Sequence, residues 1–154
     1  YTEPSDEYPD RGGCTKGGIT LTALRQWRQS PATSPKELQK LGKEEALALL
    51  RRRYVLVNGI DQLEGSGVFE HLVDNSVLSG PYLSVCDLQK ALGVTVDGVI
   101  GPQTCAAYGR LDARVVGNRL AMARALRLAR HVKKHPDQLV FLVGWLTRCH
   151  SFIE

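Results

Sequence analysis

The chain has 154 residues, 43% hydrophobic and 23% charged, the balance of an ordinary globular protein. That size allows one domain or two joined halves around a real core, and the composition excludes a collagen, a coiled coil or a disordered tail. The net charge of +4 (20 Lys and Arg against 16 Asp and Glu) favours an anionic surface such as a bacterial wall, a phospholipid face or nucleic acid, and selects none of them.

Residues Tyr1 to Gly18 are rich in Asp, Glu, Pro and Gly and lack hydrophobic periodicity, so they read as a loop or extended segment. A polar loop of that length opening a compact domain commonly has a function. From Ile19 the pattern turns helical, with Thr20 or Thr22 capping a short helix through Leu24 and Trp27. Ser34-Pro35-Lys36-Glu37 combines an N-cap, a proline at the first helical position and a capping-box acid. A further helix follows Gly42, with Ala46, Leu47, Leu50 and Tyr54 on one face and Arg51 to Arg53 leading out of it. Ser66 is placed to cap the next run, whose apolar residues Phe69, Leu72, Val73 and Val77 precede Gly80.

Pro81 opens a helix through Val85, Leu88, Ala91 and Leu92, stopped by Gly93. Val94 to Pro102 is turn-rich: Asp97-Gly98 supplies the turn and Pro102 starts another helix. A long helix from about Asp112 to Lys134 carries Arg124, Arg127, His131 and Lys134 on one stripe, with Val116, Leu120, Ala123 and Leu128 elsewhere. The stripe reads as a solvated helix face, with wall phosphate or nucleic acid as its functional alternative. A last helix runs from about Pro136 to Cys149. Its apolar stretch, Leu139 to Leu146, falls short of the roughly 20 residues of a membrane span and is expected to be buried. The sum is an all-α chain with at most one short hairpin, no internal repeat and no transmembrane segment.

Cys14, Cys86, Cys105 and Cys149 form no CxxC pair and no Cys/His cluster at zinc spacing, so no metal and no cofactor is expected. An even count permits disulfides, Cys86 with Cys105 being the first pairing to test; four buried thiols are the alternative. His71, His131, His135 and His150 show no catalytic partner spacing, and there is no phosphate-binding glycine loop. Trp27 and Trp145 read as core residues.

Asp10-Arg11-Gly12-Gly13, then Thr15-Lys16-Gly17-Gly18-Ile19-Thr20, resemble the opening of the glycoside hydrolase 108 N-acetylmuramidases, with Tyr1 at the family's Tyr and Arg11 in place of Pro. Leu88-Gln89-Lys90-Ala91-Leu92-Gly93, Asp97-Gly98-Val99-Ile100-Gly101-Pro102-Gln103-Thr104 and Gly144-Trp145-Leu146-Thr147-Arg148 resemble the family's peptidoglycan-binding-like second half. The segments run over nearly the whole chain in the family's order. Two departures stand out: Leu78 occupies an Asn position in Asp74-Asn75-Ser76-Val77-Leu78-Ser79-Gly80, and Val55 replaces an aromatic after Tyr54.

The resemblance implies a lysozyme-like fold, with a muramidase-like half at 1–80 and a peptidoglycan-binding-like half at 81–154 packed as one compact unit. It implies a monomer that cleaves the β-1,4 bond between N-acetylmuramic acid and N-acetylglucosamine in peptidoglycan glycan strands, with no nucleic acid partner. The location implied is the periplasm, the exterior, or release from a phage to the wall. Such cleavage needs a protonated carboxylic acid at the leaving oxygen and a second carboxylate across the sugar. By resemblance the acid is a Glu three positions before Tyr1, upstream of this sequence, and Asp10 is the second carboxylate. Glu3 and Glu7 are alternatives of the right type. Thr15 would hydrogen-bond in the cleft, and Tyr1 and Tyr54 would meet sugar, although packing competes for Tyr54. The non-catalytic alternative keeps the groove without the acid and binds wall glycan uncut.

Overall fold

In a computed structural model, which describes residues 14–153, the chain divides into two compact units, Tyr1–Arg53 and Tyr54–Glu154. Eight α-helices and one two-stranded hairpin are present among the described residues, an all-α architecture.

Among its described residues the first unit opens with the antiparallel hairpin β1 (Thr15–Lys16) and β2 (Ile19–Thr20), in which Thr15 faces Thr20 and Lys16 faces Ile19. Gly17 and Gly18 make the turn, both at positive φ, as a two-residue hairpin turn requires. The stretch read as irregular up to Gly18 therefore ends in a strand, and the helix begins two residues after Ile19. α1 (Leu21–Arg28) is capped by Thr20, whose hydroxyl accepts from the Ala23 N–H at 3.1 Å. α2 (Pro35–Gln39) carries the full capping box of Ser34 and Glu37, and α3 (Lys43–Arg51) follows. Ile19, Leu24, Leu38, Leu41 and Leu49 form this unit's core, with Trp27 and Leu50 packed against it. Each such side chain, fully buried, contributes about 1.5–3 kcal/mol.

A π turn at Arg52–Leu56 carries the chain out of α3, and a 3-10 turn follows at Ile60–Leu63. In the second unit α4 (Phe69–Ser79) and α5 (Pro81–Leu92) pack on each other and are separated by Gly80 alone. α6 (Pro102–Tyr108), α7 (Ala113–Lys134) and α8 (Leu139–His150) complete it, α7 packing on both α5 and α8. Ile60, Leu72, Val85, Leu88, Ile100, Val116 and Leu120 are the centre of the core.

Four sequence expectations need correction. Ser66 does not cap α4, because the helix starts at Phe69 and only the Ser66 carbonyl bonds to it. Arg124 is no part of a solvated stripe. It is fully buried, in line at four-residue intervals with Val116, Leu120 and Leu128. The run Leu139 to Leu146 is largely exposed, Val140 and Val143 above 70%. That helix is apolar on several sides, and packing on α7 covers only one of them. Finally, Cys86 and Cys105 are not paired: all four cysteines are free thiols. No helix is long and apolar enough to cross a membrane among the described residues.

Candidate functional site

Tyr1 and Asp10 lie outside the described residues. What the structure defines is the hairpin that follows the acidic segment in the chain. Cys14 accepts a backbone bond from Leu21 at 3.1 Å, which holds the entry of the hairpin against the start of α1. The ammonium of Lys16 then donates to the carbonyls of Gln39 (2.5 Å) and Leu41 (2.9 Å), where the last turn of α2 leaves oxygens unpaired. Arg28 grips Glu45 through two bonds of 2.8 and 2.7 Å and reaches Glu37 at 3.3 Å. Thr15, half-buried in β1, sits on this braced hairpin.

Tyr54 belongs to the second unit, Thr15 to the first. Tyr54 is half-buried in the π turn, and its carbonyl accepts from the Ser76 hydroxyl at 2.7 Å. Tight tethering of the backbone at that turn fixes where its ring departs.

Two polar networks organise the second unit, and both join the segments that carried the sequence resemblance. In the first, Asp74 of α4 pairs with Arg124 of α7 (2.8 Å) and with Arg148 of α8. Next to Asp74 on α4, Asn75 accepts from Arg127 at 2.9 Å, as does Ser79 one turn further on, while Arg127 Nε donates to the buried Asp87 at 2.7 Å. The departing residue Leu78 is exposed and takes no part. In the second network the buried Gln89 amide donates to Asp97 (2.7 Å), the Val99 carbonyl (3.0 Å) and Thr104 (3.2 Å). Its oxygen accepts from the N–H groups of Asp97 (3.1 Å) and Gly98 (2.8 Å). From the other side Asn58 donates to the Gly98 carbonyl at 2.6 Å and Gln62 to that of Ile100 at 2.5 Å. The Asp97 to Thr104 segment is thus a clasped turn, a structural signature.

These carboxylates are poor general acids. An acid catalyst must hold its proton near neutral pH, yet Glu37, Glu45, Asp74 and Asp97 are all lowered. The backbone N–H and hydroxyl of Ser34 lower Glu37, and the Arg28 guanidinium lowers Glu45. Burial would raise Asp74, but bonds from Arg148 and Arg124 outweigh it. The Val99 N–H and the Gln89 amide lower Asp97. All four stabilise structure as anions.

Comparison with known proteins gives these patterns a frame. Residues 4–80 match the sequence family described as Glycosyl hydrolase 108, and residues 84–150 match one described as Predicted Peptidoglycan domain. Among solved structures the chain is similar to that of Brucella abortus SagA, with 34% identity and a TM-score of 0.76 over 97% of this chain and 81% of that one. No curated protein matches it.

Proposed function

The chain belongs to the glycosyl hydrolase 108 family, and from that premise we propose that it is an N-acetylmuramidase cutting the β-1,4 bond between N-acetylmuramic acid and N-acetylglucosamine. A peptidoglycan-related role, hydrolytic or binding, follows from the two matched families. The observation that carries the finer reading is their succession in one chain, 4–80 and then 84–150, as a hydrolase joined to a wall-recognition module.

In this reading a carboxylic acid protonates the glycosidic oxygen as the bond breaks, and a carboxylate opposite directs attack at the anomeric carbon. Asp10 is that carboxylate. Thr15, on its braced hairpin, hydrogen-bonds the glycan beside it, and Tyr1 and Tyr54 supply aromatic surface and hydroxyls to the sugars. The protein acts as a monomer on glycan strands in the periplasm or outside the cell, or is released to the wall by a phage.

The test uses the natural full-length protein on purified sacculi. Reducing ends are reduced with borohydride and identified by mass spectrometry. The expected product carries muramitol, and Asp10→Asn lowers its yield by about a hundredfold or more. Undiminished release by that variant removes Asp10 from the mechanism. Sedimentation with sacculi but no new reducing ends replaces hydrolysis by binding alone.

A further inference from the structure

Of the residues of α8 only Cys149 is buried. Leu139, Val140 and Val143 leave 60%, 77% and 76% of their surface in solvent, and Phe141 and Leu146 are exposed as well. At about 100° per residue, Leu139, Val143 and Leu146 form one line along the helix, and Val140 stands across it from Cys149. The inner edge is fixed, with Cys149 packed inward and Arg148 held by Asp74. α8 therefore presents a braced apolar ridge, and a contiguous uncovered patch of this kind marks an interaction surface.

The charge around the ridge says what covers it. Residues 113–153 hold eight Lys and Arg and one acid, Asp137, against 12 and 15 in the rest of the chain. Arg124, Arg127 and Arg148 are taken up by Asp74 and Asp87. Arg114, Arg119, Arg130, Lys133 and Lys134 are exposed and pair with no carboxylate among the described residues. Lys133 and Lys134 close α7, and only His135 and the 3-10 turn Pro136–Gln138 separate them from Leu139. Basic and apolar side chains thus meet at one corner. Asp137, the acid of that corner, accepts from the Gln138 amide at 2.6 Å.

A second copy of this chain is a poor occupant, because it would set one surplus of positive charge against an equal one. A bilayer with anionic headgroups meets both demands at once. Its interfacial layer takes the apolar side chains, and its phosphates take the ammonium groups. α8 has 12 residues and is about 18 Å long, too short to cross a hydrocarbon core of about 30 Å. It can lie on such a surface but not span it.

We propose that the corner between α7 and α8 is a docking site for an anionic phospholipid surface. Leu139, Val140, Phe141 and Val143 enter the interfacial layer, with Trp145 backing the Phe141 ring at a centroid distance of 5.8 Å. Lys133 and Lys134 reach the phosphates from the end of α7 while their aliphatic stems lie along the apolar layer. Asp137 opposes them with one charge against two. Docking of this kind requires no glycan cleavage, so it stands or falls separately from the activity proposed above.

The test floats the natural full-length protein with vesicles of phosphatidylglycerol and phosphatidylethanolamine, and with vesicles of phosphatidylcholine alone. Binding to the anionic vesicles should be about tenfold stronger or more, and should weaken as salt is raised. Val140→Asp with Val143→Asp should lower it by about tenfold or more, and so should Lys133→Gln with Lys134→Gln. All four side chains are exposed, and melting temperatures check that each pair of substitutions leaves the protein folded. No binding, equal binding to both kinds of vesicle, or binding that neither pair weakens overturns the site. A micromolar dimer in analytical ultracentrifugation that Val140→Asp with Val143→Asp dissolves also overturns it, and makes a second copy the occupant. Hydroxyl radicals should label Phe141 readily in the lipid-free protein. A protected Phe141 there means that the natural chain covers this face itself, which overturns the site as well.

Discussion

Arg148 donates through Nε to Asp74 Oδ1 at 2.5 Å across 74 residues of sequence, while the other oxygen of the same carboxylate lies 2.8 Å from Arg124. One partner is exposed and the other fully buried. A single carboxylate thus neutralises a guanidinium that has no access to water and ties α4 to both α7 and α8.

Asp74→Asn keeps the shape of the side chain and strands the Arg124 charge in the core. A buried ion losing its partner costs about 3–5 kcal/mol. Arg148→Ala removes a partner whose side chain is 60% exposed and should cost about 1 kcal/mol or less. Urea unfolding of the two variants checks this, and equal losses would contradict it. Exchanging the pair together, Asp74→Leu with Arg124→Met, should harm stability less than Asp74→Asn alone.

Stability should fall with acid in two stages. An unfolded chain protonates its histidine near 6.5, whereas buried His71 resists down to about 4. The unfolded state therefore takes up the proton first, and the folded state loses ground as pH falls from about 6.5 to about 4. The loss is of order 3 kcal/mol at most and levels off below. Asp74, held low by its two arginines, withdraws its contribution only under more acidic conditions, below its ordinary value of 3.8. Thermal melts across this range should show the first stage vanish in His71→Phe. A slope that survives in that variant would place the proton elsewhere.

Three glycines should respond to alanine in a defined order. Gly59 has φ +77, and a methyl there meets the Ile100 carbonyl at 2.7 Å, a backbone atom that cannot step aside. Gly98 has φ +78, but its methyl at 2.2 Å meets the ring of the exposed Tyr82, a side chain rather than backbone. Gly117 sits in α7 with open space around it. Gly59→Ala should thus be the most damaging, Gly98→Ala should cost about 1–2 kcal/mol from its backbone conformation, and Gly117→Ala should stabilise by about 0.5–1 kcal/mol. Melting temperatures rank the three, and a destabilising Gly117→Ala would contradict the open space at that position.

Helix starts were legible residue by residue. Thr20, the Ser34–Glu37 box, Pro81, Pro102 and Asp112 each act within four residues of themselves, so local chemistry specifies them. The family resemblance, too, needed only the order of short segments. Burial of Arg124 ran against its sequence reading: four-residue spacing from Leu120 and Leu128 puts it on their face, but its charge had set it on a solvated stripe apart from them. What decided the matter was Asp74, fifty residues earlier in the chain, along with the helix that carries it. Ser66 shows the same limit, since a serine ahead of an apolar run looks like a cap whether or not its hydroxyl bonds to the helix. Capping, turn geometry and helix period are therefore determined by the sequence itself, because their partners are neighbours along the chain. Which charges go inside and which apolar helix stays uncovered were decided by tertiary packing alone, because those energies depend on groups that only folding brings within reach.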